Sequence, residues 1–266
     1  MPPLSVPSTF AYGAQADTPR SNASHSRMTH PLSNHKNIGL QFSGGKDSLA
    51  CVHLLRPHWE KLTLYHVDTG DLLPEVMEIV DQVESMVPRF IRIETNSNQW
   101  RETVAYPSDL VPTSSSILGV KIGMSDRRII DRFECCAMNI MVPMHERALA
   151  DNCTLVIRGT KRADMKRLPA ENGPTGLGYD LWLPLLEWSH EDVFNYLREV
   201  GAPICRTYEH RVNAPECATC PAWWSEGRAE YLKKYHPDLS AEYQRKLAIV
   251  EAEIMPFVSL LRTERG

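Results

Sequence analysis

The feature that most constrains this chain is a hexapeptide, Ser43-Gly44-Gly45-Lys46-Asp47-Ser48, set between two apolar runs. Ile38-Gly39-Leu40-Gln41-Phe42 reads as a short strand and Leu49 to Leu55 as a helix, so a tight turn leads from one into the other. A strand that runs straight into a helix has its next partner parallel to it, reached by a crossover. The pattern repeats. Leu62 to Val67 is a second strand, ending at Asp68-Thr69-Gly70, and Pro74 opens a helix with Val76, Ile79, Val80 and Val83 on one face. Phe90-Ile91-Arg92-Ile93 and Thr154 to Arg158 are further strands, and Leu181 to Leu185 reads as an edge strand. The expected fold class is therefore α/β: a doubly wound, mainly parallel, Rossmann-like sheet with a helical C-terminal extension.

The hexapeptide itself points to phosphate. Glycines let successive backbone N–H groups converge on an anion, and the start of a helix adds partial positive charge. Ser43 and Ser48 offer hydroxyls, and Lys46 offers a cation. The spacing is neither G-x-x-x-x-G-K-[ST] nor G-x-G-x-x-G, so the kinase-type P-loop and the dinucleotide dehydrogenase fingerprint are both excluded. Downstream, Lys161, Arg162, Lys166 and Arg167 place four cations within seven residues, after a strand whose carboxyl end faces the sheet's ligand crevice. A nucleic-acid backbone is an alternative partner for that loop. The formal net charge of −4 excludes a surface that is basic throughout.

Three regions follow from composition and pattern. Residues 1–37 are rich in Pro, Ser, Asn and His without apolar period, and read as a flexible arm. Residues 38–221 form the nucleotide-binding domain, and 222–266 a helical C-terminal extension. Asp126 to Ala150 is expected to be helical, and the segment from Gln99 to Gly123 a loop with short helices. Ser189 with Asp192 resembles a capping box for a helix through Arg198. Glu242 to Leu261 carries apolar residues at helical spacing, suited to core packing or to a dimer, and a homo-oligomer is expected. No apolar run is long enough to span a bilayer, so no membrane partner is expected, and the location expected is cytoplasmic.

Seven cysteines cannot all pair. Cys135-Cys136 and Cys217-Ala-Thr-Cys220 supply four soft ligands that suit zinc or an iron–sulfur cluster. Neighbouring cysteines on a helix diverge by about 100°, which is awkward around one small ion and workable around a larger cluster. A Cys-x-x-Cys pair alone could be redox-active. Cys51, Cys153 and Cys205 read as packing residues.

The hexapeptide resembles the pyrophosphate loop of the adenine nucleotide alpha-hydrolase, or PP-loop ATP pyrophosphatase, superfamily. Within it the chain is most similar to the phosphoadenosine phosphosulfate (PAPS) reductase family. Val67-Asp68-Thr69-Gly70-Asp71-Leu72-Leu73-Pro74-Glu75, Arg158-Gly159-Thr160-Lys161-Arg162-Ala163-Asp164 with Arg167, and Leu183 to Ser189 with Asp192-Val193 carry that likeness. The resemblance implies that Ser43, Gly44, Gly45, Lys46, Asp47 and Ser48 bind ATP with Mg2+, and that Asp68, Gly70 and Gly159 border the nucleotide. It implies catalytic roles for Lys46, Asp47, Arg162 and Arg167, the two arginines clamping a phosphate or an activated acceptor. The similarity to adenylylsulfate reductases implies that Cys135, Cys136, Cys217 and Cys220 hold a [4Fe-4S] cluster, with zinc as the alternative.

Sulfonucleotide reductases use a nucleophilic cysteine in a C-terminal segment, and no cysteine follows Cys220 here. With the ATP-type hexapeptide, this makes the chain more similar to PP-loop enzymes that cleave ATP to AMP and pyrophosphate. The expectation is an ATP pyrophosphatase that adenylates an unknown acceptor, a nucleic acid or a small molecule, in sulfur transfer with a possible sulfur-donor protein. The alternatives are an adenylylsulfate or phosphoadenylylsulfate reductase, and a non-catalytic nucleotide-binding subunit with a structural metal site.

Overall fold

The structure is a computed structural model, and it describes residues 30–124, 128–165, 167–168, 170–210 and 217–266. Residues 1–29 of the expected arm lie outside the described residues. A single turn, α1 (His30–Ser33), precedes β1 (Ile38–Gln41), α2 (Lys46–Leu54), β2 (Leu62–Asp68), α3 (Pro74–Met86) and β3 (Phe90–Glu94). Next come α4 (Ser97–Thr103), β4 (Tyr106–Ser108), α5 (Ile117–Lys121), β5 (Ile129–Asp131), α6 (Arg132–Cys136), α7 (Val142–Ala150) and β6 (Leu155–Ile157). The chain continues through β7 (Gly173–Pro174), β8 (Asp180–Trp182), α8 (His190–Glu199), α9 (Arg228–Tyr235) and α10 (Pro237–Arg265).

The main sheet has the order β3-β2-β1-β6-β8-β7. All its pairings are parallel except that of the two-residue β7 with β8. β1 and β2 are buried over most of their length because helices cover both faces, and even His66 of β2 is enclosed. The order reverses at β1: β2 and β3 extend to one side, β6 and β8 to the other. A parallel sheet opens its ligand crevice at such a switch point, beyond the strands' carboxyl ends. The loops leaving β1 and β6 therefore meet there, and they carry Ser43–Ser48 and Gly159–Lys161.

The helices follow their sequence signals closely at α3 and α8. Pro74 occupies the first turn of α3, and Val76, Ile79, Val80 and Val83 are its buried face. Ser189 accepts from Asp192 N while Asp192 accepts from Ser189 N, the reciprocal cap expected for α8. Three expectations change. The helix expected over Asp126–Ala150 is preceded by β5, because Ile129 and Ile130 are buried against β4 and Asp131 caps α6 by accepting from Phe133 N. A π-helical turn, Ala137–Met141, then joins α6 to α7. Leu181–Leu185 is not an edge strand: β8 stops at Trp182 and is shielded by β7. The last helix starts five residues earlier than expected, at Pro237, and runs to Arg265. Tyr243 of α10 joins the main core, and its Val250 and Ile254 pack on Tyr106 and Ile129.

Candidate functional site

Gly44 has φ +80°, and a Cβ there would lie 2.7 Å from Val76 Cγ1, so only glycine makes this turn without strain. Behind it the two serines lock together. Ser48 Oγ accepts from Ser43 N at 3.2 Å and donates to Gly45 O at 3.0 Å. Lys46 N donates to the hydroxyl of Tyr208, 3.0 Å away, which lies over the mouth of the turn. Helix α2 thus starts with its backbone donors facing a cleft.

Asp47 is bracketed by two buried lysines. Lys46 Nζ donates to its Oδ2 at 2.7 Å and Lys161 Nζ to its Oδ1 at 2.7 Å. Lys161 also bonds Asp164 Oδ1 at 2.8 Å, which turns its side chain inward. Gly159 allows the approach: a Cβ on it would come within 2.8 Å of the Asp47 and Ser48 backbone. The cation of the basic loop that reaches the hexapeptide is therefore Lys161, to which sequence reasoning gave no separate role.

Arg162 and Arg167 do not join this group. Arg162 Nε pairs with Glu187 Oε1 at 2.8 Å, and both side chains are more than half exposed. Arg167 lines a separate cavity with Arg162, Met165 and Leu186. The short turn at Arg162–Asp164 sends Lys161 inward and Arg162 outward, so the two arginines expected to clamp a phosphate or acceptor share a cavity apart from the hexapeptide. Asp68 and Gly70 form a tight turn, Gly70 N donating to Asp68 Oδ1 at 2.9 Å, and neither lines the main cavity.

That cavity, of about 260 Å³, carries Ser43, Gly45, Lys46, Asp47 and Ser48 on one wall. Cys135, Cys136, Cys217 and Cys220 line it too. Four cysteines separated by 80 residues in sequence, at positions 137–216, therefore converge. The convergence depends on Asp71. Its carboxylate accepts from Thr219 N and Thr219 Oγ1, between Cys217 and Cys220, and from Arg101 Nη1 at 2.7 Å. Arg228 Nη1 donates to Cys217 O and Cys220 O, and Lys246 of α10 bonds Thr219 Oγ1. Three buried cations from α4, α9 and α10 thus surround one turn. On the other side Asn139 Nδ2 donates to Cys135 O at 3.0 Å.

Burial pushes the Cys135 thiol up to about 11, with Arg101 pulling the other way. Burial likewise raises Cys217, again opposed by Arg101. Cys51, Cys153 and Cys205 sit in the apolar core and are raised by burial, as packing residues should be. At the cavity rim Trp223 has φ +64°, held because Asp109 accepts from both Trp223 N and Trp224 N. Arg132 bonds the same carboxylate and lies 3.8 Å over the Trp223 ring.

Four sulfur donors on one cavity suit a thiophilic metal group. Among the described residues, no three His, Cys, Asp or Glu side chains come together closely enough to hold one metal ion. Four thiols nevertheless line one cavity, and beside it the Nε atoms of Arg101 and Arg228 are buried without an acceptor. Sequence gave no signal for Arg101, Tyr208 or Lys246, whose roles depend on contacts far along the chain. Asp71 was visible only as part of its motif.

A family model described as the phosphoadenosine phosphosulfate reductase domain matches residues 37–223. A phosphoadenosine 5'-phosphosulfate reductase of Proteus mirabilis is 22% identical over 195 residues, covering 72% of this chain and 73% of that protein. An adenosine 5'-phosphosulfate reductase of Neisseria meningitidis serogroup A is 22% identical over 227 residues, 83% of this chain and 84% of that one. The solved phosphoadenylyl-sulfate reductase of Candida auris, a phosphate complex, superposes with a TM-score of 0.48 at 14% identity, covering 70% and 83% of the two chains. With more than two thirds of its length matched by the family model, this chain belongs to the phosphoadenosine phosphosulfate reductase family.

Proposed function

We propose that this chain is an adenine-nucleotide enzyme of sulfur metabolism, with nucleotide phosphates on Ser43–Ser48 and a [4Fe-4S] cluster on Cys135, Cys136, Cys217 and Cys220. One observation carries this reading: the phosphate loop and the four thiols line the same cavity. The positive start of α2 and the hydroxyls of Ser43 and Tyr208, the latter accepting Lys46 N–H, orient the phosphates, and Lys46 with Lys161 offsets their charge. When bound, an iron–sulfur cluster supplies a compact charge and electron-transfer capacity beside them.

The relatives support sulfonucleotide reduction as the reaction. A thiolate attacks the sulfate sulfur, the bond from that sulfur to the bridging phosphate oxygen breaks, and AMP or its 3'-phosphorylated form leaves. A second thiol then releases sulfite and leaves a disulfide. Four of the seven cysteines are assigned as ligands and three are buried in the core, so the attacking thiol is one other than these seven.

A second reading is favoured by the intact Ser-Gly-Gly-Lys-Asp-Ser loop: cleavage of ATP, with Mg2+, to AMP and pyrophosphate, which adenylates a nucleic acid or small molecule before sulfur enters. Anaerobically purified protein separates the two. Thiol-dependent sulfite release from adenylylsulfate or phosphoadenylylsulfate supports reduction. Formation of AMP and pyrophosphate from ATP supports the second reading. Tight nucleotide binding without turnover of any of the three marks a binding subunit, and absence of nucleotide binding sinks the whole reading.

A further inference from the structure

Arg101 is 2% exposed, the largest of the fully buried side chains, and sits on α4 one turn after Ser97. Ser97 Oγ lies 3.8 Å from Cys217 Sγ, so this helix abuts the cysteine wall. An arginine buried so deeply needs its charge matched and its donors filled. Asp71 takes Nη1, but it also accepts from Thr219, so its charge is shared with the Cys-x-x-Cys turn. The Nε of Arg101 has no acceptor at all. The side chain lines the cavity together with all four cysteines. A buried donor without an acceptor, on a guanidinium whose side chain already reaches the Cys135 thiol, faces the place where the sulfur atoms of this cavity gather.

Resting on the cluster assignment made above, we propose that Arg101 is the counter-cation of the four-cysteine centre, donating from its guanidinium to the sulfur atoms held there while Asp71 fixes its orientation. A four-thiolate iron–sulfur centre carries net negative charge, and hydrogen bonds to its sulfurs tune it. Arg101 offers both, from a position where water does not screen the charge. Arg228 also lines the cavity with an unpartnered Nε, but its charge is matched by Glu226 and its Nη1 holds two carbonyls of the turn, so its main task is to anchor that backbone. Loss of Arg101 therefore acts on the centre's sulfurs, while loss of Arg228 acts on the ligand loop.

The test uses the full chain, purified anaerobically, with Arg101→Gln and Arg101→Lys. Iron and sulfide per chain are measured first, then the rate of iron release to a chelator, then the iron–sulfur stretching bands by resonance Raman in H2O and D2O. In the wild type those bands shift on deuteration. In Arg101→Gln iron leaves at least about tenfold faster and the deuterium sensitivity falls. Arg101→Lys keeps the charge without the Nε donor, so it retains iron more nearly as the wild type does and still loses deuterium sensitivity. Loaded variants with wild-type bands and release rates would overturn the proposal alone. Wild-type bands indifferent to deuterium would do the same even if neither variant loads iron. A wild type that holds no iron under anaerobic conditions overturns the cluster assignment, and the proposal with it.

Discussion

At the scale of single residues, the site turns on which cation is buried. Lys161 is fully buried against Asp47 and Asp164, whereas Arg162 pairs with Glu187 in solvent. Lys161→Met leaves two carboxylates short of a partner and is expected to cost about 3 kcal/mol of stability, together with weaker nucleotide binding. Arg162→Ala should change stability by less than about 1 kcal/mol. Chemical denaturation and nucleotide titration of the two variants check this, and equal effects would refute the assignment. Arg162 is as conspicuous in the sequence as Lys161, for a simple reason. A hexapeptide or a Cys-x-x-Cys pair is local and can be read directly, but the Lys161–Asp47 contact joins residues 114 positions apart. Orientation at the end of β6 is set by the turn at Arg162–Asp164, and no spacing rule announces it.

At the scale of elements, the parts with strong local codes were legible and the short ones were not. The cap of α8 was visible as Ser189 with Asp192, and Ser189→Ala should lower stability by about 1 kcal/mol, read from the urea midpoint. β5 has three residues, too few for any period, and exists because β4 pairs with it. Helix α10 was legible as a helix, but its anchoring was not. Glu242 bonds Arg245, and this holds its carboxyl down at about 2, with burial opposing and Lys246 adding to the effect. A carboxyl depressed in the folded state adds stability above its ordinary range, and that stability is lost as pH falls from about 4.5 towards about 2. Glu242→Gln should therefore flatten the acid limb of a Tm-against-pH curve between pH values of about 5 and 3. Parallel acid limbs in variant and wild type would contradict this.

At the scale of the whole molecule, the sheet's reversal at β1 brings two loops together, and Asp71 ties the thiol-bearing turn to the segment after β2. The hexapeptide and the thiols then share one space, so on the proposed reading ATP or adenylylsulfate should slow alkylation of Cys136 and Cys217 in the metal-free protein several-fold. Mass spectrometry of labelled peptides measures it, and unchanged rates would separate the two sites. Among the described residues no helix is long and apolar enough to cross a membrane. The convergence of Cys135 and Cys136 with Cys217 and Cys220 has one more consequence, for the chain regarded as a polymer. Any group held by all four is a crosslink closing a loop of residues 137–216. In the chain-entropy picture, closing a loop of that length restricts the unfolded chain by roughly 4 kcal/mol. Filling the site would therefore be a folding event as much as a chemical one, and losing the group would release β6, β8 and α8 together.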